Sequence, residues 1–510
     1  MTQDLPGVAE VAVEAPRPAV EPPRARAAIG WAYALTVGRF GITGLVFVWL
    51  ATIITPKDFG DMALAMAWVI FAQTLAYYGP AQAVIQRSRA TDDHFTMAFW
   101  INLAIAVVLA GILVAVAPVW ASLNGEPRIK LLCWALAPTI VLNALMVISD
   151  STLKRQMQFK RLSVRVLLAG LLSGGVGVGL ALVGYGVWAL VAQQITLSLF
   201  SAVAVWFSAP WRPTLRLSLS AARDLRSFSL RSTAEFVAHF VATRTDLLLL
   251  GMFFGPAVIG LYRFAVRITD MITEVAAGGL GQVSLPHLSR LHENREAFTA
   301  AFSRIIHAGA LLAWPTFAVL AVSAHEVLAL IGPEWLPVAP ALQVMCVDAA
   351  FGVLGAVLAP ATQAAGRPGI NATVGWIQAA VSAAAIASVG WVFANGSPTS
   401  QVLAIATTFL VLRATFLVII GVIMARVVFQ APVRTLLGPA KPALLSAVAA
   451  LVAGFAVRFA LPATTPLVHA LVTVVIAVAA AATVLLAKDP LVRQIARQML
   501  RRQRSISSET

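Results

Sequence analysis

The sequence contains little charge. Only 12% of its 510 residues are Asp, Glu, Lys or Arg, whereas 59% are hydrophobic and the mean hydropathy is +0.85. Water-soluble domains carry about 25% charged residues, so roughly half of the expected charge is missing. A soluble core cannot hide this excess of apolar residues. The composition therefore excludes a water-soluble protein and predicts an integral membrane protein.

Cysteine and catalytic motifs are also scarce. The two cysteines, Cys133 and Cys346, both lie in apolar segments, which excludes a disulfide framework and a cysteine-rich metal site. The chain contains neither a GxxxxGKS/T loop nor an HExxH motif. The run GGVGVG at residues 174–179 lies inside a hydrophobic span, where small residues four apart favour close helix packing over nucleotide binding. We therefore expect no enzyme activity, no cofactor and no resident metal.

Hydrophobic runs of about twenty residues recur along the chain with short gaps, which is typical of membrane-spanning helices. The sequence predicts an all-α integral membrane protein with about fourteen transmembrane helices. The predicted spans are residues 28–54, 60–78, 96–118, 129–150, 163–184, 187–208, 228–253, 257–283, 300–322, 339–362, 371–394, 400–425, 442–462 and 466–487. The first run is too long for the apolar part of a cleavable signal peptide.

Positive charge alternates between the two sides of these spans. Of the 37 Lys and Arg residues, 28 fall on the side of the N-terminus and four on the opposite side. Cytoplasmic loops are enriched in Lys and Arg, so both termini are predicted to lie in the cytoplasm. The formal net charge is +15. Because the basic residues lie between spans and at the ends, they indicate contact with anionic lipid head groups and not with nucleic acid.

The longest interior polar stretch, residues 208–227, divides the chain. Two pseudo-symmetric six-helix lobes joined there, followed by a helix pair, are typical of transporters whose halves rock about a central site. The predicted segments are a disordered cytoplasmic tail 1–27, an N-lobe 28–208, a cytoplasmic linker 209–227, a C-lobe 228–427, helices 13 and 14 at 441–487 and a basic amphipathic tail 488–510. The basic tail is predicted to form a helix on anionic lipid, with a protein-binding helix as the alternative. No segment outside the spans is large enough for a catalytic domain.

Five basic residues lie well inside the predicted spans, more than four residues from either end, namely Arg39, Arg244, Arg263, Arg267 and Arg413. Each costs about 2.5–3.5 kcal/mol at the centre of a membrane helix, so each needs a partner or a water-filled cavity. For Arg413 a structural ion pair is the simpler interpretation.

The charges of the seventh and eighth spans form ordered stripes. At about 100° per residue, the charges of the seventh span cover roughly 80° and those of the eighth roughly 60°. The two stripes consist of Arg231, Glu235, His239 and Asp246, and of Arg263, Arg267, Asp270 and Glu274. An ionisable stripe on a membrane helix faces the bundle interior and not lipid. Like charges four residues apart on the eighth span repel each other, so this stripe is not neutralised by its own helix.

The two stripes match each other in depth if the chain turns near residues 254–255. The matched pairs are Asp246 with Arg263, His239 with Asp270 and Glu235 with Glu274. They would give a salt bridge, a pair able to hold a proton and a like-charged pair that favours proton sharing. Arg244 points about 160° away from Asp246 on the same helix and faces another helix or a second part of the cavity. We favour a functional cavity, with a self-satisfied structural network as the alternative.

Several stretches resemble one family. TPKDFGDMALAMAWVIFAQTLAYYGPAQAVIQR at 55–87 is similar to the first-hairpin signature of bacterial polysaccharide exporters, and STLKRQMQFKRLSVRVLLAGLLSGGVGVGLALVGYGVWALVAQQ at 151–194 to their fourth-to-sixth-helix region. RTDLLLLGMFFGPAVIGLYRFAVRITDM with SLPHLSRL resembles the start of their second lobe, and GPEWLPVAPALQVMC and PATQAAGRP resemble later loops. The resemblance covers about residues 30–430. These exporters belong to the multidrug/oligosaccharidyl-lipid/polysaccharide flippase superfamily.

The resemblance implies a flippase of the bacterial inner membrane that moves undecaprenyl-pyrophosphate-linked oligosaccharide repeat units to the periplasmic leaflet. It implies alternating access between pseudo-symmetric lobes, driven by an ion gradient, with polysaccharide polymerase or export proteins as partners. Arg39, Arg244, Arg263 and Arg267 are then expected to attract the pyrophosphate or acidic sugars. The acidic residues and the histidine of the stripes, Glu235, His239, Asp246, Asp270 and Glu274, are expected to balance them and to couple a proton.

One departure from the family pattern concerns Asp246. Many relatives carry polar or basic residues where this chain has Leu247 and Met252, so the cation that pairs with Asp246 is not specified by the pattern. Two alternatives to the flippase are a small-molecule drug antiporter of the same superfamily and a non-transporting scaffold of a polysaccharide synthase. Charge stripes at matched depth argue against the scaffold.

Overall fold

The computed structural model describes residues 38, 41–76, 80–81, 83–84, 90–155, 159–209, 211–226, 229–230, 233, 237, 249–460, 465–494 and 497–498. These residues are mostly helical, and no β-strand occurs among them. The predicted tail 1–27, the beginning of the first predicted span and most of the seventh lie outside the described residues.

The long helices fall into two groups and a terminal pair. The N-bundle comprises α1 (Gly41–Ala51), α2 (Pro56–Ala76), α3 (Asp92–Leu123), α4 (Arg128–Arg155), α5 (Phe159–Leu182) and α6 (Val187–Ser208). The C-bundle comprises α7 (Pro256–Ser289), α8 (Arg295–Ile331), α9 (Ala339–Ala364), α10 (Pro368–Phe393) and α11 (Pro398–Ile423). The terminal pair is α12 (Lys441–Ala460) and α13 (Pro466–Lys488). A 3₁₀ turn, Pro333–Val338, joins α8 to α9, and a π-helical turn, Met424–Phe429, extends α11.

Local chemistry explains where several helices begin. Pro256, Pro368, Pro398 and Pro466 each occupy the first turn of a helix, where the missing N–H has no intrahelical partner to lose. At the start of α8 the Asn294 side chain accepts a hydrogen bond from the Ala297 amide at 3.0 Å, which caps the helix. Prolines and caps thus begin the helices where the hydrophobic runs resume.

Most of these helices are able to cross a membrane. In the described part of the chain, 11 helices are long and apolar enough to span it. Large apolar side chains such as Phe207, Trp391 and Phe459 are exposed on their outer faces, where lipid would cover them. The protein is a multi-pass membrane protein. Helix α7 is not among the 11 because its charged residues lower its hydropathy.

The predicted spans from the second to the sixth and from the eighth onward coincide with helices α2 to α13. The helices extend past the predicted hydrophobic runs at several ends, most at α8, which continues to Ile331. A helix is able to continue into the polar membrane boundary, whereas hydropathy marks only its apolar part. The count of fourteen helices and the cytoplasmic placement of both termini stay predictions.

Helix α4 lies at the centre of the N-bundle and packs against α2, α3 and α6, while α5 packs against α6. Leu64 of α2, Trp120 of α3 and Leu136 of α4 are almost completely buried in one apolar core. The indole of Trp120 donates a hydrogen bond to the Leu64 carbonyl oxygen at 3.2 Å, so its polar group is satisfied within the core. The glycine-rich run contributes to packing as predicted, because Gly174 of α5 faces Val46 of α1.

Helix α9 lies at the centre of the C-bundle, against α7, α8 and α11. Helices α12 and α13 pack against each other and against α8. Val322 of α8 meets Ala450 of α12 and Ala477 of α13 in a core of small residues, which allows the close helix approach common in membranes. The terminal pair is therefore attached to the C-bundle through α8.

The predicted linker is packed onto the N-bundle over residues 211–226. The Trp100 indole donates to the Thr214 carbonyl oxygen at 2.8 Å, and the rings of Phe99 and Trp211 lie 6.2 Å apart. His94 Nε2 lies 3.3 Å from Asp224 Oδ2. This segment is therefore fixed to the beginning of α3 and does not hang free between the bundles.

Candidate functional site between the two bundles

Helices α2 and α7 meet at their N-terminal ends. Each begins with proline followed four residues later by glycine, Pro56 and Gly60 in α2 and Pro256 and Gly260 in α7. A Cβ atom on Gly60 would overlap the carbonyl oxygen of Pro256, and one on Gly260 would overlap the carbonyl oxygen of Pro56. Only glycine permits this approach of two backbones, so the helices touch through a reciprocal, pseudo-two-fold contact. We call this contact the crossing.

An aromatic cluster lies beside the crossing and also joins the two bundles. The Trp335 indole donates a hydrogen bond to the Ala51 carbonyl oxygen at 2.8 Å. The ring centroids of Phe264 and Trp335 lie 4.1 Å apart, those of Phe47 and Phe264 5.4 Å, and those of Phe59 and Trp335 5.5 Å. Close-packed aromatic rings exclude water, so the two bundles are sealed against each other at this end.

The predicted charged stripe of α7 continues from the crossing along the same helix face. At about 100° per residue, Arg263, Arg267, Asp270 and Glu274 all lie within about 80° of Gly260. Arg263 and Arg267 are half-buried, and Asp270 and Glu274 are exposed. Because Gly260 faces the N-bundle, the stripe faces the space between the two bundles. Its residues become more exposed with distance from the sealed end.

The two arginines of this stripe differ from Arg413 and Arg165, which also lie in long helices. Among the hydrogen bonds and salt bridges of the described residues, none involves Arg263 or Arg267. In contrast, Arg413 Nε lies 2.5 Å from Asp348 Oδ1, and Arg165 Nη2 lies 2.5 Å from Asp150 Oδ1. Arg413 thus has the structural ion pair that the sequence favours. No described residue occupies the guanidinium groups of Arg263 and Arg267, which therefore leave hydrogen-bond donors for a ligand.

The remaining predicted site residues, Arg39, Glu235, His239, Arg244 and Asp246, lie outside the described residues. The depth-matched pairing of the two stripes therefore stays a prediction. Within the described part of the chain no group of three or more His, Cys, Asp or Glu side chains is placed to bind a metal ion.

A second group of charges, which the sequence reasoning missed, lies next to the crossing within the N-bundle. Lys57 Nζ is 2.8 Å from Glu126 Oε2, and Arg128 Nη1 is 3.2 Å from Asp58 Oδ1. The same guanidinium nitrogen is 4.0 Å from Asp61 Oδ2, and Asp61 is completely buried. We call these five residues the α2 charge cluster. Asp61 lies at the beginning of an apolar run, and nothing in the sequence distinguishes it from a carboxylate at the membrane surface.

The sequence reasoning also missed two histidine–carboxylate pairs that join α8 to α13. His469 Nδ1 lies 3.4 Å from Glu326 Oε1, and His307 Nε2 lies 3.0 Å from Asp489 Oδ2. Nineteen residues separate His307 from Glu326 and twenty separate His469 from Asp489, so the antiparallel helices are pinned near both ends. The partners are more than 130 residues apart in the chain, and only the fold brings them together.

A family model described as "Polysaccharide biosynthesis protein" matches residues 49–340, more than half of the chain. The chain belongs to this polysaccharide biosynthesis protein family. The resemblance to polysaccharide exporters inferred from the sequence is confirmed.

Three proteins with similar sequences are named for the polysaccharide pathways in which they act. The succinoglycan biosynthesis transport protein ExoT of Rhizobium meliloti (strain 1021) is 26% identical over 63% of this chain. The teichuronic acid biosynthesis protein TuaB of Bacillus subtilis (strain 168) is 22% identical over 62%, and the lipopolysaccharide biosynthesis protein WzxC of Escherichia coli (strain K12) is 21% identical over 62%. The matched region spans 65% of the length of each of these relatives.

Solved structures show the same fold. The lipid II flippase MurJ in an inward closed conformation aligns with a TM-score of 0.69 at 13% identity, covering 90% of this chain and 98% of that one. An inward-facing MATE family multidrug transporter aligns with a TM-score of 0.53 at 15% identity, covering 77% and 94%. This protein therefore has the fold of these membrane transporters. The expectation of a multi-pass membrane protein from a polysaccharide biosynthesis family is confirmed at the level of family and fold.

Proposed function

We propose that this protein is a flippase that moves undecaprenyl-pyrophosphate-linked oligosaccharide repeat units from the cytoplasmic to the periplasmic leaflet of the bacterial inner membrane. The observation that carries the proposal is the stripe of α7, which runs from the sealed crossing into the space between the bundles. The product would serve exopolysaccharide, capsule or lipopolysaccharide synthesis.

The predicted orientation places the sealed end at one face of the membrane. With the N-terminus in the cytoplasm, α1 ends and α2 begins at the periplasmic face, so the crossing is a closed periplasmic gate. The stripe then points from this gate toward the cytoplasm, and its exposure increases from Arg263 to Glu274 in that direction. This arrangement is that of a cavity open to the cytoplasm, where the repeat unit is assembled. Alternating access requires the crossing to separate in a later state.

The chemistry of the stripe suits a pyrophosphate. A guanidinium group binds phosphate oxygens through two parallel charge-assisted hydrogen bonds, which replace the water lost on entering the membrane. Arg263 and Arg267 are half-buried and form no ion pair with a described residue. Asp270 and Glu274 lie one and two turns further along the helix. Their negative charges would repel the bound anion enough to allow its release, and their carboxylates would provide sites for a coupling proton.

The names of the relatives support a polymer precursor as the substrate. One is a succinoglycan transport protein, and the others act in teichuronic acid and lipopolysaccharide biosynthesis. We expect polysaccharide polymerase or export proteins as partners and anionic lipid as the partner of the basic tail. The drug-antiporter alternative shares the fold but gives no reason for two arginines on the cavity face that form no ion pair with a described residue.

Deletion of the gene tests the function directly. We expect lipid-linked repeat units to accumulate on the cytoplasmic leaflet while exported polymer disappears, as measured by accessibility of the saccharide from each side of inverted and right-side-out vesicles. Normal polymer export in the deletion strain would refute the flippase, and unchanged leaflet distribution with lost polymer would favour the scaffold.

Variants of α7 test the stripe. Replacing a guanidinium that binds a phosphate removes about 1.5–3 kcal/mol, so Arg263→Ala is expected to lower polymer export by about tenfold or more. Asp246→Ala is expected to impair export as well. Arg290→Ala is the matched control, because Arg290 is exposed at the end of the same helix and lies about 120° from the face of Gly260. If Arg263→Ala and Asp246→Ala insert normally and both export polymer like Arg290→Ala, the cavity is wrongly assigned.

A further inference from the structure

The α2 charge cluster has one more negative than positive charge. Asp58, Asp61 and Glu126 supply three carboxylates, and Lys57 and Arg128 supply two cations. Each cation already has a carboxylate within 3.2 Å, Glu126 for Lys57 and Asp58 for Arg128. The third carboxylate, Asp61, is the one that carries the excess charge.

Asp61 is also the most buried member of the cluster. Its exposed fraction is 0%, and neither of its carboxylate oxygens has a hydrogen-bond donor. The nearest cation, Arg128, stays 4.0 Å from Oδ2 while its Nη1 donates to Asp58. An ionised carboxylate without a donor in a dry interior is strongly disfavoured, and such a group becomes neutral or gains a bound cation.

Among the described residues, no ion pair or hydrogen bond links Asp61 to an ionisable group outside the cluster. On α4, which also carries Arg128, the ammonium of Lys130 lies over the Trp134 ring, 5.1 Å from its centroid. Residues 113–123 of α3, 187–194 of α6 and 41–51 of α1 contain no ionisable side chain, and these stretches form the neighbouring helices at this level. On α7 the charged residue nearest the crossing is Arg263, one turn beyond Gly260. The electrostatic environment of Asp61 is therefore the cluster itself.

A proton fits this site better than a metal cation does. Hard cations require several oxygen ligands in a shell around them, and the described residues provide no metal-binding group. The space beside Asp61 Oδ2 faces the guanidinium of Arg128, which repels a second cation. A proton on Asp61 leaves two carboxylate charges and two cations in the cluster, so the cluster becomes neutral.

The cluster and the crossing share the first two turns of α2. Pro56 and Gly60 form the contact with α7, and Lys57, Asp58 and Asp61 lie between and immediately after them. Water that enters when α2 separates from α7 would hydrate an ionised Asp61, whereas the sealed crossing leaves it dry. Proton binding and closure of the crossing are thus linked through one rigid helical segment.

We propose that Asp61 is a proton-binding site whose occupancy holds the crossing closed and whose deprotonation favours its opening. The proposal deepens the proposed function, because it assigns a ligand to the periplasmic gate. Proton binding at Asp61 does not depend on what the protein transports, so the two proposals fail separately.

Infrared spectroscopy of the full-length protein in lipid nanodiscs tests the site. We expect a C=O stretch of a protonated carboxyl group near neutral pH that Asp61→Asn removes. In Asp58→Asn, Arg128 is released to pair with Asp61, so the band should weaken although Asp61 is present. Arg128→Gln should strengthen it. Asp348→Asn, which removes a paired carboxylate elsewhere, serves as the control. A band that persists in Asp61→Asn, or that is unaffected by both Asp58→Asn and Arg128→Gln, would overturn the proposal.

Accessibility of a cysteine at the crossing tests the link to closure. Ala51→Cys is placed in a Cys133→Ala/Cys346→Ala background, because Ala51 is 2% exposed beneath Trp335. In right-side-out vesicles, labelling by a membrane-impermeant maleimide, normalised to its reaction with a free thiol, should rise by up to about tenfold per unit of external pH. Adding Asp61→Asn should leave labelling slow and independent of pH. Equal pH dependence with and without Asp61→Asn would show that Asp61 does not control the crossing.

Discussion

At the scale of single residues, the charges inside the membrane separate into two kinds. Arg165, Arg413, Glu326 and Asp489 each have an ionisable partner within 3.4 Å, which is what a charge requires in a medium that excludes water. The arginines of the α7 stripe and Asp61 have no such partner within hydrogen-bonding distance among the described residues. Charges of the first kind form ion pairs between helices, and those of the second kind are the ones that we propose to bind a substrate or a proton.

The pair of Glu326 and His469 allows a prediction for the first kind. Their side chains are 7% and 11% exposed, so His469→Ala leaves a buried carboxylate without its partner. Such a loss costs about 3–5 kcal/mol, and we expect the thermal unfolding temperature of the purified protein to fall by several degrees. Combining Glu326→Gln with His469→Ala should restore most of the lost thermal stability, because Glu326→Gln removes the uncompensated charge. Additive destabilisation in the double variant would show that the two residues do not interact.

Sequence reasoning found the α7 stripe because helical periodicity places its four charges on one face without reference to other helices. It did not find Asp61, Glu326 or His307, whose significance depends on burial and on partners distant in the chain. A lone acidic residue at the edge of an apolar run has the same sequence signature whether it faces head groups or a protein interior. Helical periodicity depends on residues close together in the sequence, whereas ion pairs between distant residues depend on how the helices pack.

At the scale of helices, the crossing is the clearest feature common to both halves. The sequence displays proline and glycine at the same spacing in PKDFG at 56–60 and PAVIG at 256–260. A Pro-x₃-Gly spacing alone does not show that the two segments face each other. Its physical meaning, backbone contact on both sides of a pseudo-two-fold axis, follows only from the packed helices.

Substitution at the crossing should therefore disturb its closure. A methyl group on Gly60 meets the Pro256 carbonyl oxygen, and one on Gly260 meets that of Pro56, neither of which is a flexible side chain. Overpacking of this kind costs about 1–3 kcal/mol, so Gly60→Ala or Gly260→Ala should accelerate maleimide labelling of Ala51→Cys by about fivefold or more.

The matched control at the crossing is Gly255→Ala. Gly255 immediately precedes α7, has an ordinary φ of −69°, and a Cβ there would have no neighbour within 4 Å. Its labelling rate should equal that of the parent protein. If Gly260→Ala behaves like Gly255→Ala, the tight contact between α2 and α7 does not determine whether the crossing is closed.

At the scale of the whole molecule, hydropathy located α2 to α6 and α8 to α13 because the membrane imposes a common length on apolar helices. Helix α7 was predicted from an apolar run at residues 257–283, although it is not among the 11 helices whose hydropathy suits a membrane span. How the bundles contact each other was not predictable, because both are apolar on several faces. Aromatic contacts of Phe47 and Phe264 across the bundles have no sequence pattern of their own.

Alternating access requires the two bundles to move relative to each other, and a covalent bridge across them should stop transport. The rings of Phe47 in the N-bundle and Phe264 in the C-bundle are 5.4 Å apart, within reach of a short bifunctional thiol reagent on Phe47→Cys/Phe264→Cys. We expect cross-linking to abolish movement of lipid-linked repeat units in vesicles, with recovery when a cleavable bridge is reduced. Phe298→Cys/Phe429→Cys is the control, because these rings are 5.5 Å apart within the C-bundle. Bridging that pair should leave transport intact. Equal inhibition by both bridges would mean that the C-bundle itself deforms during transport, and full transport with the first bridge closed would exclude rocking of the bundles about the crossing.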